Sequence, residues 1–384
     1  MSLSTESGSA SVHDLAECLT VVEGGSAVVA EHGEFSRRIP ARWLRLMGVD
    51  TANMAPTTGQ RRFCSTTIPT ESRVRSVAFK ESEGFWEVRF EGETEPLELT
   101  FDRITASDSR ERIEGPDPTV FSSADQPARA LDCDTLDSPA AVRSLLETVL
   151  RFGYARIHGV RTDQASLQEL IARFSGSDPA VRRPTVIEEE IASGSEAPHS
   201  CSGPEPHVDR PYLDSMPRYL LQLCTRDSLA GSDLVLVDGM NAAQTLAMEQ
   251  PMMAAELSRW PMLFSREGAD FSYQALLPIL ETGPDGSFRR ITFNDRASVD
   301  FMCPDDRLQA CSEGFDHLAR ILEREGLHHR FRVQPGDLVI IDNHRVLHGR
   351  TASSAPGGRT LLVGHLERAA VLSTWRRARS GNLD

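Results

Sequence analysis

The strongest constraint on the fold is a set of short apolar runs in the second half of the chain. They lie at Tyr219–Thr225, Asp233–Asp238, Arg289–Asn294, His328–Val333, Asp337–Asp342 and Thr360–Glu367. Runs of this length, rich in Val, Ile and Leu, read as strands. Between them only Asp305–Glu325 has a clear helical stripe, formed by Leu308, Cys311, Phe315, Leu318 and Leu322. A doubly wound sheet needs a helix after nearly every strand. No G-x-G-x-x-G follows a strand and no phosphate-binding P-loop is present. The expectation is a mainly β chain with flanking helices, a β-sandwich or jelly roll.

The 384 residues suggest more than one folding unit. Residues 1–16 are Ser-rich and polar and are expected to form a disordered tail, with no secretory h-region. Residues 17–105 read as a small β-rich domain, with strands at Ser26–Glu31, Val74–Lys80, Gly84–Phe90 and Pro96–Phe101. Residues 106–130, holding Pro116, Pro118 and Pro127, are the candidate linker. Residues 131–384 form the larger domain. It opens with a helical pattern from Ser138 and Pro139 through Val142, Leu145, Leu146 and Val149 to Gly153. A strand at Tyr154–His158 and a helix at Ala165–Phe174 follow. Thr185–Pro206 has no periodicity, and its acids Glu188, Glu189 and Glu190 read as a solvated loop.

Charge and cysteine usage narrow the function. Lys+Arg 41 against Asp+Glu 56 gives a net charge of −15, a field that repels phosphate backbones and anionic lipid. Neither nucleic acid nor membrane is an expected partner, and no apolar run reaches the length of a membrane span. Seven cysteines, an odd count without C-x-x-C, argue against a disulfide framework and fit a reducing, cytoplasmic setting.

Two segments carry chemistry. His207-Val208-Asp209 places an imidazole and a carboxylate on one side of an extended segment, because residues i and i+2 share a face. About 140 residues on, the run Asp342-Asn343-His344-Arg345-Val346-Leu347-His348-Gly349-Arg350 follows a buried strand, and His348 lies just past that strand's end. Two His and one carboxylate on one face of a metal leave three positions open, the facial triad of non-haem Fe(II) oxygenases. Arg359, eleven residues after His348, opens the last apolar run. An arginine fork there suits the far carboxylate of a 2-oxo acid.

In this order and spacing the chain resembles the γ-butyrobetaine dioxygenase group of the taurine-type Fe(II)/2-oxoglutarate-dependent dioxygenases. HVDRPYLDSMPRYLLQLC, SDLVLVDG and RITFND add to the resemblance, as do the N-terminal ARWLR and APTTGQRRF. The resemblance implies a double-stranded β-helix (jelly roll) behind a small β-rich N-terminal domain. It implies Fe(II) on His207, Asp209 and His348, 2-oxoglutarate held by Arg359, and O2 as the oxidant. Members are often homodimers, and the resemblance carries that expectation. A carboxylate at Asp209 argues against a halogenase, which needs that position free for chloride.

Two departures shape the expectation further. Carnitine-pathway members of the group hold a structural zinc through cysteines after the W-L-R segment. Here Leu46–Met54 contains no thiol, so no structural zinc is expected. Those members also cage a trimethylammonium with aromatic side chains, a cation–π site. At the corresponding positions this chain has Val186, His199 and Arg210, and it has only four Trp and four Tyr in all. Arg210 would repel a quaternary ammonium and suits a substrate carboxylate or phosphate. Arg210, His199 and Asn294, the last matching a position that lines the substrate pocket in the group it resembles, are the candidate substrate-binding residues, with Arg182 and Arg183 as further cations and Glu196 as a contact for an amine. The expected reaction is oxidation, most simply hydroxylation, of an unactivated C–H in a small anionic or zwitterionic substrate, such as an intermediate of specialised metabolism. Two alternatives stand beside it: a betaine hydroxylase with a cation site rebuilt around Glu196 or Glu188–Glu190, and a non-catalytic binding protein on the same fold.

Overall fold

The computed structural model describes residues 18–48, 53–55, 57, 60–104, 114–125, 130–176, 187–193, 205–227, 232–351 and 357–381, with 187–193 described as backbone only. The chain forms two compact units, Met1–Arg112 and Ile113–Asp384. The expected tail at 1–16 lies outside the described residues.

The smaller unit contains two three-stranded antiparallel sheets. One is β1 (Leu19–Val22), β2 (Ala27–His32) and β3 (Phe35–Pro40), followed by the short helix α1 (Ala41–Arg45). The other is β4 (Val74–Lys80), β5 (Phe85–Phe90) and β6 (Leu97–Leu99), with α2 at Phe101–Ile104. Alternation on β5 buries Trp86, Val88 and Phe90, which join Val28, Ile39, Leu44 and Leu99 in one core. Arg45 donates to Glu93 at 2.8 Å and to Asn53 at 2.7 Å.

The larger unit is layered. Its main sheet has the order β7-β8-β18-β10-β20-β9. These strands are β7 (Leu131–Asp132), β8 (Tyr154–His158), β9 (Ile187–Ser193), β10 (Tyr219–Asp227), β18 (Leu338–Asp342) and β20 (Gly357–Leu366). All pairs are antiparallel except β7 with β8. A second sheet has the order β17-β11-β19, from β11 (Leu234–Asp238), β17 (His329–Phe331) and β19 (Val346–Arg350). The inner faces of both sheets meet in a core of Leu220 and Cys224 on β10, Val339 and Ile341 on β18, Leu361 and Val363 on β20, Leu234 and Leu236 on β11, and Val346 on β19.

Helices cover the outer faces. The alternate residues Leu221, Leu223, Leu338, Ile340, Leu362 and Leu366 pack under α3 (Pro139–Phe152), α4 (Gln164–Ser175) and α8 (Arg368–Arg379). α3 starts at a proline and ends at Gly153, whose φ of 77° supplies the left-handed cap. Val235, Val237 and Leu347 pack against α5 (Gly239–Glu249), α6 (Pro251–Arg259) and α7 (Asp305–Leu322). Strands β12 (Pro261–Glu267), β13 (Ser272–Pro278) and β16 (Ser298–Phe301) form a further sheet, and β14 (Leu280–Thr282) pairs with β15 (Phe288–Ile291). Among the described residues no helix is long and apolar enough to cross a membrane.

Three expectations are corrected. Glu188–Glu190 are not in a loop: they lie on β9, whose backbone pairs with Leu362, Leu361 and Thr360 at the sheet edge. The proline-rich stretch read as a linker belongs, from Glu114 to Asp125, to the larger unit. Phe121 is buried in the inner core and its amide donates to Asp238, while Thr119 donates to the Arg151 carbonyl. The apolar run at Arg289–Asn294 is a strand only to Ile291. Beyond it, Thr292 bonds to Ile279, and the Phe293 carbonyl accepts from Val208. Among the described residues Cys18, Cys64, Cys133, Cys224, Cys303 and Cys311 form no disulfide.

Candidate metal centre

His348 sits at the middle of β19, on the same face as Val346, and points into the inner core. His207 is joined to it by a two-point backbone bridge. The His207 amide donates to the His348 carbonyl at 3.0 Å, and the return bond is 2.9 Å. On its other side the His207-Val208-Asp209 segment is held by Val208, whose amide donates to Phe293 and whose carbonyl accepts Asn294 Nδ2 at 2.9 Å. The Asp209 amide donates to Asn343 Oδ1 at 2.7 Å, and Asn343 Nδ2 donates back to the Asp209 carbonyl at 2.9 Å. Segments far apart in sequence are thus locked in register by main-chain bonds and one buried amide.

These contacts bring three ligand atoms together. Asp209 Oδ1 lies 3.6 Å from His207 Nε2 and 3.5 Å from His348 Nε2. One ligand atom from each residue falls within a common 4.8 Å. A metal about 2.1 Å from each ligand would set neighbouring ligand atoms about 3 Å apart, so the two edges to Asp209 would contract by about half an ångström. His207 Nδ1 donates to the Glu205 carbonyl at 2.8 Å, which fixes the tautomer that turns the Nε2 lone pair to the centre. Burial, followed by the nearby charge of His348, pushes His207 down to about 4. Burial opposes the Asp209 charge, but His348, His207 and Arg210 outweigh it and hold the carboxyl well below its usual range. The donor set is thus two imidazoles and one carboxylate, suited to a divalent transition metal with open positions.

Arg359 lies on the inner face of β20, two residues before Leu361. A register shift in β10 between Cys224 and Arg226 sets Asp227 opposite it. Arg359 Nε donates to Asp227 Oδ1 at 3.2 Å and Nη2 to the Ser232 carbonyl at 2.8 Å. Nη1 makes no hydrogen bond among the described residues. Arg332 also donates to Asp227.

Arg210 has the left-handed φ of 57°, uncommon for a side chain of its size. Among the described residues it forms no ion pair with Asp214, and its charge acts on Asp209 and His365. Asn294 uses its amide within the protein, donating to Val208 and accepting from the Arg296 amide at 3.2 Å. It braces the metal-binding segment. His199, Val186, Glu196, Arg182 and Arg183 lie outside the described residues.

Three residues near the centre were not singled out from the sequence. His365 shares the inner face of β20 with Arg359, and burial and then Arg210 push it down to about 4. Gln222 lies between Leu220 and Cys224 on the inner face of β10 and is 7% exposed. Its amide has no hydrogen-bond partner among the described residues. Arg350 follows His348 on the inner face of β19, with its pKa lowered by burial and then by Arg359 and Arg296. A polar residue at an inward position of an apolar run is the sequence signal for Gln222; Arg350 was visible only as part of the H-G-R triplet.

Residues 119–365 match the family described as taurine catabolism dioxygenase TauD, TfdA family. The chain belongs to that family. Its relatives include human gamma-butyrobetaine dioxygenase, 31% identical over 167 residues that cover 42% of each chain. Trimethyllysine dioxygenase of Neurospora crassa is 36% identical over 155 residues, 38% of this chain and 32% of that one. The matches thus span about two fifths or less of the length of these relatives. Among solved structures, a taurine dioxygenase from Burkholderia xenovorans aligns over 67% of this chain and 97% of its own, with 14% identity and a TM-score of 0.47.

Proposed function

We propose that the protein is an Fe(II)- and 2-oxoglutarate-dependent dioxygenase that hydroxylates an unactivated C–H of a small anionic or zwitterionic substrate, on a double-stranded β-helix framework. The observation that carries this reading is the triangle of His207, Asp209 and His348, whose three ligand atoms lie within 4.8 Å of one another. Family membership supports it. When bound, the iron and the 2-oxo acid would supply oxidising power through oxidative decarboxylation of the co-substrate to succinate and CO2.

The chain's own residues do the rest. His207 and His348 offer imidazole nitrogens, and Asp209 stays ionised between them. The bridge to β19 and the Asn343 amide fix their directions before any ligand arrives. Arg359 takes the distal carboxylate of the co-substrate with the donor that Asp227 and Ser232 leave over. Arg210 and Arg296 act on the ligands from outside the triangle and favour a substrate that brings negative charge. His199 is proposed as a further substrate contact.

A second reading, a betaine hydroxylase with a rebuilt cation site, is favoured by the relatives named gamma-butyrobetaine and trimethyllysine dioxygenase. One experiment separates the two. The protein, supplied with Fe(II), 2-oxoglutarate and air, is screened for succinate release against anionic, zwitterionic and trimethylammonium compounds. Stimulation by anionic or zwitterionic compounds, abolished by His207→Ala, is the expected result. Stimulation by trimethylammonium compounds alone selects the second reading. No succinate under any condition, with iron bound, overturns both.

A further inference from the structure

We propose that Gln222 is a binding residue for the co-substrate, its side-chain amide donating to the distal carboxylate of the 2-oxo acid beside Arg359. This rests on the dioxygenase reading above.

Gln222 stands at the centre of the main sheet's inner face. Leu220 and Cys224 belong to the inner core, whereas Leu221 and Leu223 belong to the outer one, so alternation along β10 turns Gln222 inward. Its cross-strand neighbours are Val339 on β18 and Val363 on β20, both of the inner core. Apolar side chains thus flank a primary amide that is 7% exposed and has no hydrogen-bond partner among the described residues. A polar group buried in this way is costly unless something pairs with it, and a ligand that accepts from it recovers the cost.

β10 also runs from the metal centre to Arg359. Just before its start, Asn343, which holds Asp209, donates through its side chain to the Pro217 carbonyl at 3.1 Å and through its backbone amide to the Arg218 carbonyl at 2.8 Å. At the far end of β10, Asp227 pairs with Arg359 and accepts from its Nε at 3.2 Å. Gln222 lies midway between Pro217 and Asp227. Across the interior, Leu236 of the same core stands opposite His348 on the neighbouring strand. An acid held at the triangle and reaching for Arg359 therefore lies along the inner face of β10, over Gln222. Chelation engages the keto oxygen and the first carboxylate. The distal carboxylate, with two oxygens, is left for a guanidinium and an amide donor together.

The test is calorimetric titration of the Mn(II)-loaded full chain with 2-oxoglutarate and with 2-oxovalerate, which has the same length and no distal carboxylate, comparing wild type, Q222L and Q222E. The expected result is a loss of about tenfold or more in 2-oxoglutarate affinity for Q222L, and a larger loss for Q222E, which sets a like charge against the acid. In Q222L the affinities for 2-oxovalerate and for Mn(II) should be unchanged. Metal-free Q222L should melt no lower than wild type, because a buried amide without a partner has given way to an apolar side chain of similar volume. Unchanged 2-oxoglutarate affinity in Q222L overturns the proposal. So does an equal loss for both acids, or a lower melting temperature with weakened Mn(II) binding, either of which would make Gln222 a support of the sheet or of the chelating end. If wild type binds Mn(II) but neither acid, the dioxygenase reading falls first, and the assignment of Gln222 with it.

Discussion

Asp209 and Asn343 exchange two hydrogen bonds, backbone amide to side-chain oxygen at 2.7 Å and side-chain nitrogen to backbone carbonyl at 2.9 Å. Asn343 is fully buried, and its nitrogen also reaches the Pro217 carbonyl at 3.1 Å. One amide thus sets the direction of the only acid in the metal triangle. Asn343→Ala should leave the sheets intact yet weaken Mn(II) binding roughly 10- to 100-fold. Equilibrium dialysis would measure it, and an unchanged affinity would show that the main-chain bridge alone orients Asp209.

Metal binding should also be visible as stability. A ligand at 100 times its Kd adds about 2.7 kcal/mol to the folded state. Mn(II) should therefore raise the melting temperature of wild type by several degrees and leave Asp209→Ala unmoved. A similar rise in both proteins would place the ion somewhere other than the triangle.

Arg345 and Asp238 form a buried ion pair with contacts of 3.0 and 2.7 Å. Asp238 also accepts from the amides of Met240, at the start of α5, and Phe121. Removing the cation alone strands a buried carboxylate. Arg345→Met should cost about 3–5 kcal/mol in urea unfolding. Adding Asp238→Asn to it should recover part of that loss. Additive losses would mean that the pair is not coupled.

Stability should fall on mild acidification. His344 donates to the Met216 carbonyl, accepts from Arg218, and is pushed down to about 4 by burial and then by the Arg218 charge. Its folded pKa lies below its unfolded one, so the unfolded chain takes up the proton first. Its contribution is complete above about pH 6.5, the unfolded value, and is lost as pH falls towards 4; the loss amounts to as much as about 3 kcal/mol. Denaturant midpoints of the metal-free protein at pH 7, 6, 5 and 4 should trace that slope. His344→Gln should flatten it, and an equal slope in both proteins would assign the proton uptake elsewhere.

Much of the frame was legible because the chemistry is local. β4 spans Val74–Lys80 as its alternation predicts, and the Ser-Pro start and Gly153 stop bound α3 within a residue. The three residues of the triangle were legible as types at a spacing. What was hidden depends on tertiary pairing. Glu188–Glu190 have no strand propensity to speak of, yet β9 forms because the edge of β20 offers a row of backbone partners. α5 and α6 were missed because each buries few apolar side chains, with Ala242 and Leu246 on one and Leu257 on the other. His348 was expected beyond a strand end. It lies on a strand of its own because Asn343–Arg345 turn the chain at once into β19. Asn294 was legible as a residue of this region, whereas its hold on Val208 required the fold.

The His207–His348 bridge carries a consequence for how the protein comes to exist. The two halves of the triangle are separated by more than a third of the chain, and β10 joins β20 across a similar distance. Closing so long a loop is entropically costly and comes late. During synthesis His207 and Asp209 emerge well before their partner, and a pair of ligands holds an ion weakly. The centre therefore becomes a metal site only when β19 pairs with β11. Capture of the ion is a closing event of folding rather than its nucleus, and folding without metal should proceed at the same rate as with it.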